Sequence, residues 1–295
     1  MSRREGLLQF SRPQGIQEVI DRLERHGSSA LVLAGGTALG LMLKQELIEP
    51  TELIHIAGLQ ELRHIQVDSD VVRIGALATL QQVADNPGVR RTLPSLADAC
   101  ARVGNIRVRK TATLGGNLCE ADYASDPPSV LINLGAKCHA LGPAGPREIP
   151  VAGFIVDAYE TALEDSEILS SISVPIPPPT TRTAYVKYIS RSSEDRSCVC
   201  VAASVDVLAG LVSAVDVVVG AATVVPQRFD EVCSAFVGSA PRPTFARELG
   251  QRCAEAIEPI SDGRGSAWYR KRMTEVNVCR ALEACIGAVP TGSEE

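Results

Sequence analysis

The chain has 295 residues, 45% hydrophobic and 22% charged, the makeup of a globular protein long enough for two domains and a sizeable core. Its net charge of −6 at pH 7 argues against nucleic acid or an anionic membrane as the main partner, and 4% aromatics leave little for base stacking. The nine cysteines are scattered, without a Cys-x-x-Cys or the spacing of a zinc or iron–sulfur site; they are expected to be reduced, mostly buried thiols of a cytoplasmic protein.

No apolar run follows Met1-Ser-Arg-Arg-Glu-Gly6, so no signal peptide is expected. Ser11-Arg-Pro-Gln14 has capping-box spacing and an early proline, the look of a helix start. Ile16, Val19, Ile20 and Leu23 then recur at helical intervals, and His26-Gly27 closes the helix. The apolar run Ala30-Leu-Val-Leu-Ala34 predicts a strand buried on both faces, as in a parallel sheet. It runs into Gly35-Gly-Thr37 and a helical stretch over residues 38–44, an arrangement that aims helix N–H groups at a phosphate. Gly35 and Gly40 have the P-loop interval, but Leu41-Met42 stands where Lys-Ser/Thr is required. The next strand, Leu53-Ile-His-Ile56, ends in Ala57-Gly58 rather than an acidic residue, so the dinucleotide fingerprint fails as well.

Residues 71–76 alternate like a strand, Thr79 can cap a short helix holding Leu80, Val83 and Ala84, and residues 96–103 predict another helix. A second glycine turn follows at Thr113-Leu-Gly-Gly-Asn117. Adjacent glycines permit positive φ and close approach of a ligand, and successive N–H groups there can form an anion-binding concavity. The Thr113 hydroxyl and Asn117 amide suit phosphate or sugar oxygens, and Asp126 lies before a stiff Pro127-Pro128 pair. Arg102, Arg107, Arg109 and Lys110 crowd just before this turn, either as a solvated face or as a positive potential for a diphosphate or a partner protein.

Beyond an apolar run over 129–134, residues 142–146 read as a loop, 147–150 as extended chain and 167–175 as a strand. Ile176-Pro-Pro-Pro-Thr-Thr181 is a stiff spacer. Residues 183–189, 198–208 and 211–224 read as strands, the last two joined by an Ala209-Gly210 hairpin turn. The last run contains Asp216 and a glycine, and is too short and β-branched to span a membrane. Helices follow near 244–257 and 266–286, the latter with a Val278, Leu282, Cys285, Ile286 stripe. The result is a small three-stranded antiparallel domain backed by helices, with no evident catalytic constellation. The histidines at 26, 55, 64 and 139 lack metal-ligand spacing.

Ala34-Gly-Gly-Thr37 and Thr113-Leu-Gly-Gly-Asn117, with Ser125-Asp-Pro127 after the second, resemble the FAD-binding subunit or domain of the molybdenum hydroxylases. These are the xanthine dehydrogenase and aerobic carbon monoxide dehydrogenase relatives. The likeness runs nearly end to end, through Val103-Gly-Asn-Ile-Arg107, Glu167-Ile-Leu169, Tyr185-Val-Lys187 and Ala267-Trp-Tyr-Arg270. It implies an α+β, PCMH/VAO-like FAD-binding fold over residues 1–176, with subdomains of about 1–57 and 58–176. A Pro-rich linker at 177–181, a C-terminal α/β domain at 182–288 and a tail at 289–295 complete the division.

The resemblance puts Val32, Leu33, Ala34, Gly35, Gly36, Thr37, Ala38 and Leu39, with Ala112, Thr113, Gly115, Gly116 and Asn117, around the FAD diphosphate and neighbouring groups. Val103, Gly104, Cys119, Asp126, Leu169 and Lys187 fall on positions lining the rest of the cofactor. Asp126 could accept from a ribityl hydroxyl or a flavin N–H, and Lys187, if it reaches the ring, would stabilise the negative charge of reduction. Many relatives carry a polar or acidic residue where this chain has Ala38, which supplies only its N–H. The cysteine-bearing insertion of the 4-hydroxybenzoyl-CoA reductase branch is absent, so no further cluster is expected here.

The function implied is an electron-transfer subunit. A large partner would hold the molybdenum cofactor, and a small partner would bring electrons from two-iron, two-sulfur clusters. This FAD would pass them to an acceptor such as NAD or quinone, in a complex expected to be a dimer of heterotrimers. A self-contained FAD-dependent reductase on a related fold is the alternative; it needs its own acid or base beside the flavin, and no residue stands out as one. An interaction protein that has lost FAD would require the glycine turns to be purely structural.

Overall fold

The computed structural model describes residues 8–192, 195–242 and 244–287; the expected tail at 289–295 lies outside the described residues. The first unit holds β1 (Gln9–Ser11), α1 (Ile16–His26), β2 (Ala30–Leu33), α2 (Leu39–Lys44) and β3 (Glu52–His55), with the strands parallel in the order β1-β3-β2. Val19, Ile20 and Leu23 are buried along the predicted stripe of α1. The helix does not begin at Ser11. Ser11 pairs with Ile54 in β1, so α1 starts after Gly15, where the Gln14 N–H donates to Glu18 Oε2 at 3.0 Å. Nor is β2 buried on both faces. Ala30 is buried, whereas Leu31, Val32 and Leu33 are half-buried because they border a cavity.

The second unit is built on β4 (Ile65–Val67) and β5 (Val71–Gly75), followed by six short helices. These are α3 (Leu80–Asp85), α4 (Pro87–Thr92), α5 (Pro94–Ala101), α6 (Ile106–Arg109), α7 (Leu114–Glu120) and α8 (Pro127–Asn133). The chain then adds β6 (Lys137–Gly142), β7 (Gly145–Pro150), the small hairpin of β8 (Ile155–Asp157) and β9 (Glu160–Thr161), and β10 (Ile168–Pro175). The main sheet has the order β4-β5-β10-β6-β7, and its neighbours are antiparallel. Thr79 caps α3 as predicted, in a reciprocal box with Gln82. The apolar run 129–134 falls in α8 and its C-cap Leu134, and Pro127 opens the helix because its missing N–H would be unpaired there anyway. The strand β6, not anticipated, buries only small residues, Cys138 and Ala140, which give a weak alternation signal. Ile74, Leu96, Leu114, Leu131, Phe154 and Ile172 form the centre of this core.

After the spacer come β11 (Thr181–Tyr188), β12 (Val199–Leu208), β13 (Leu211–Gly220) and the two-residue β14 (Gln227–Arg228), all antiparallel. The three long strands match expectation, and β14 adds a short fourth. Ala209 and Gly210 both have positive φ, the turn whose twist suits a two-residue hairpin. Helices α9 (Asp230–Ser234), α10 (Phe245–Ala256) and α11 (Ala267–Gly287) follow. Alternation along β12 sorts the sheet's two faces. Val199, Val201, Ala203 and Val205 share a core with α10 and α11, while Cys200 and Ala202 join the core of the second unit. Val278, Leu282 and Cys285 carry the α11 stripe inward, with Ile286 half-buried at its edge. All nine cysteines are unpaired and seven are buried; Cys119 and Cys279 are not. Among the described residues no helix is long and apolar enough to cross a membrane.

Candidate cofactor cleft

A cavity of about 680 Å³ runs between the β2–α2 turn, the start of α7 and the near edge of β11, within the range of small-molecule sites. Every residue expected at the cofactor borders it: 32–39, Val103, Gly104, Ala112, Thr113, Gly115, Gly116, Asn117, Cys119, Asp126, Leu169 and Lys187.

Missing side chains let the two glycine segments touch. A Cβ on Gly35 would stand 2.1 Å from the Thr111 carbonyl oxygen, and one on Gly116 would stand 2.8 Å from Thr113 Oγ1 and 3.9 Å from the Ala34 Cβ. Gly36 has φ of +67°, so the first segment is a true left-handed turn. The second segment corrects the expectation. Gly115 and Gly116 lie inside α7, not in a positive-φ turn, because Thr113 caps that helix and its Oγ1 accepts from the Gly116 N–H at 3.0 Å. Gly115 is needed for close approach, since a Cβ there would come within 2.6 Å of the Ala76 Cβ.

The two segments also differ in the donors they present. At α7 the N–H groups of Leu114, Gly115 and Asn117 donate to Ala78, Ala76 and Thr113 carbonyls, so that segment keeps its main-chain donors within the fold. At the first turn, no hydrogen bond among the described residues takes up the N–H groups of Gly36, Thr37 or Ala38. Unpaired donors beside a cavity suit an anion. Asn117 contributes a side-chain amide, oriented by Ser125 Oγ donating to its Oδ1 at 2.8 Å. Open donors on one side and a glycine-smoothed wall on the other fit a diphosphate, and the apolar Val103 and Leu169 fit a flat ring system.

Asp126, placed by the start of α8, is 3% exposed and already engaged. Its Oδ1 accepts from Tyr185 Oη at 2.6 Å and Ser197 Oγ at 2.5 Å, and its Oδ2 accepts from Lys187 Nζ at 2.7 Å. Lys187 also donates to the Arg102 carbonyl at 2.8 Å. Burial, and then the Asp126 charge, push the Tyr185 phenol well above its ordinary value, keeping it a neutral donor. The basic cluster separates into different roles. Arg109 donates to the carbonyls of Val103 and Gly104 and to Gln81, shaping the cavity wall, while Arg102 pairs with Asp98 and Arg107 and Lys110 are exposed.

One end of the cavity was not anticipated. Glu120, Asp122, Tyr159 and Arg196 line it, and Arg196 Nε reaches Asp122 Oδ2 at 2.8 Å and its Nη2 lies 3.7 Å from Glu120 Oε1. Burial, helped by Asp122 and opposed by Arg196, pushes the Glu120 carboxyl up to about 7. Glu120 and Asp122 follow the second glycine pair closely in sequence, but nothing local linked them to Arg196, which comes from beyond β11. Cys119 is exposed and opens onto the cavity.

Residues 6–177 match the family described as the FAD binding domain in molybdopterin dehydrogenase, and residues 184–285 match the CO dehydrogenase flavoprotein C-terminal domain. The carbon monoxide dehydrogenase medium chain of Hydrogenophaga pseudoflava is 31% identical over 280 residues, covering 94% of this chain and 96% of that protein. The glyceraldehyde dehydrogenase medium chain of Sulfolobus acidocaldarius is 28% identical, covering 93% and 96%. A solved carbon monoxide dehydrogenase from H. pseudoflava, in a form lacking the Mo-pyranopterin moiety, superposes with a TM-score of 0.91 at 30% identity over 95% of this chain and 97% of that one.

Proposed function

The chain belongs to the FAD-binding subunits of the molybdopterin dehydrogenases, and from that premise we propose that it carries electrons between a partner's iron–sulfur clusters and an external acceptor. As an oxidoreductase flavoprotein subunit, it would work beside a large molybdenum-cofactor subunit and a small iron–sulfur subunit, in a dimer of heterotrimers. NAD, quinone or another carrier would take the electrons. We further read residues 1–176 as the FAD-binding part, with subdomains of about 1–57 and 58–176, and residues 182–288 as the C-terminal domain. The separate sheets on either side of the spacer support this division. The unpaired state of all nine cysteines supports a reducing, cytoplasmic location.

The observation that carries the reading is the run of open N–H groups at Gly36, Thr37 and Ala38, facing the glycine-bearing start of α7 across one cavity. FAD held there would supply a redox centre able to take up and release electrons. The first turn would bind the diphosphate through main-chain donors and the Thr37 hydroxyl. Val103 and Leu169 would exclude water from the ring system, and Lys187 would steady the negative charge that reduction brings.

The test is an absorption spectrum of the purified chain, before and after supplying FAD. Flavin bands, co-purification with a molybdenum subunit, and no substrate oxidation by the chain alone are expected. Protein that stays colourless with FAD, or autonomous substrate turnover, would refute the assignment.

A further inference from the structure

Two carboxyl groups lie beside Arg196 at one end of the cavity, and only one of them is well served. Arg196 Nε reaches Asp122 Oδ2 at 2.8 Å, and Asp122 Oδ1 accepts from the Ala124 N–H at 3.0 Å. Glu120 receives less. Its Oε1 is buried, lies 3.7 Å from Arg196 Nη2 and has no hydrogen-bond partner among the described residues. The side chain borders the cavity and is 17% exposed, which leaves a route for protons from solvent. Three titratable groups face it. Asp122 repels its charge, Arg196 attracts it, and Tyr159, in the turn between β8 and β9, stays neutral because burial and then Asp122 push its phenol up. Asp195 also borders the cavity, its Oδ2 accepting from the Ser192 N–H at 3.0 Å. This end adjoins the Lys187 end, since Ser197, next to Arg196, donates to the Asp126 that holds Lys187. Burial and the Asp122 charge raise the Glu120 carboxyl to about 7, so both of its states are populated near neutral pH.

We propose that Glu120 is a proton-coupling residue of the site: when two electrons add negative charge to the cavity, its carboxylate binds a proton from solvent and offsets that charge. The proposal rests on the reading of the cavity as an FAD site. Electrons handed over by iron–sulfur clusters arrive without protons, so the balancing charge must come from elsewhere. Lys187 supplies a fixed charge already shared with Asp126, whereas Glu120 supplies one that responds. On reduction –COO⁻ becomes –COOH at the expense of bulk water, and reoxidation returns the proton. Linkage makes the effect reciprocal: if reduction tightens proton binding at Glu120, a proton bound there favours reduction by the same factor.

The experiment measures the two-electron midpoint potential of FAD bound to the full chain, in wild type and Glu120→Gln, from about pH 5.5 to about pH 9. Glutamine mimics the protonated carboxyl at every pH. The two proteins should share one potential at the acid end, where Glu120 is neutral in either redox state. At the alkaline end wild type carries the carboxylate, and its equilibrium should be about tenfold less favourable to reduction, a potential about 30 mV below that of Glu120→Gln. An offset that is the same at every pH, as repacking alone would give, overturns the proposal, and so does no difference at all. Should Glu120→Gln take up no FAD, Arg196→Gln replaces it. Losing the cation that opposes protonation should move the steep section of the wild-type curve to higher pH, and a section that stays in place overturns the proposal. A wild-type chain that takes up no FAD would instead overturn the site reading, and the proposal with it.

Discussion

Replacing Gly35 by alanine should separate the role of close packing from that of main-chain donors. The added Cβ would meet the Thr111 carbonyl oxygen at 2.1 Å, its carbon at 2.8 Å and the Ala112 Cα at 3.1 Å. All three are backbone atoms, so no side chain can swing aside. Restoring a contact of about 3.4 Å to that oxygen requires the β2–α2 turn and the segment before α7 to part by roughly 1 Å. Overpacking of this kind costs about 1–3 kcal/mol, and part of it falls on folding and part on assembly of the site. Because the Gly36, Thr37 and Ala38 donors would move with the turn, FAD affinity should fall about 10- to 100-fold. Titrating apoprotein with FAD by flavin fluorescence reads this directly, with thermal unfolding of the apoprotein reporting the folding share. Gly40→Ala is the control: a Cβ there meets nothing within 4 Å, and Gly40 lies in α2, so the change should be neutral or stabilise by up to about 1 kcal/mol. Wild-type FAD affinity in Gly35→Ala would show that the two segments are not held together as their contact implies.

Three further outcomes follow from other contacts. Gly250→Ala should lower the thermal midpoint and cost about 1–3 kcal/mol, since a Cβ on α10 would lie 2.7 Å from the Glu275 carbonyl oxygen on α11. Asp262→Asn should cost about 3 kcal/mol in denaturant unfolding, because it removes the anion from Arg270, which is fully buried and donates to Asp262 Oδ1 at 2.5 Å. In the wild type that stability should fade as pH drops, since hydrogen bonds and the Arg270 charge overcome burial and hold the folded Asp262 carboxyl below its ordinary value. Glu120 has the opposite sign. Its folded-state carboxyl is raised to about 7, so its contribution is present below the ordinary carboxylate range and is lost as pH rises toward 7. Apoprotein Glu120→Gln should therefore gain on wild type between about pH 4.5 and 7, by about 3 kcal/mol at most; a flat difference across that window in denaturant melts would exclude the raised carboxyl.

The periodic parts of the fold were legible because their signal is local. The α1 stripe, the alternation of β12 and the Ala209-Gly210 turn each follow from residues a few positions apart. Ser11 illustrates the limit. Its capping pattern was real, but pairing with Ile54 placed it in β1, and Glu18 received the Gln14 N–H by itself. The strand β6 escaped notice for a related reason, since Cys138 and Ala140 are too small to stand out from their neighbours.

The same division runs through the cleft. The amino-acid order by itself carried, through its resemblance to a family, the expectation that two glycine pairs, Asp126, Leu169 and Lys187 share one site, because absent side chains and particular polar groups at fixed places are properties of the chain alone; all of them border one cavity. Only tertiary structure decided what each does. Gly36 turns the backbone, whereas Gly115 makes room for Ala76; open donors remain at one segment and are consumed at the other; Asp126 faces Tyr185 and Lys187. The physical reason is that a hydrogen-bonding group's availability depends on which distant partners have already claimed it. Those partners are set by how the sheets pack, not by the neighbours along the chain.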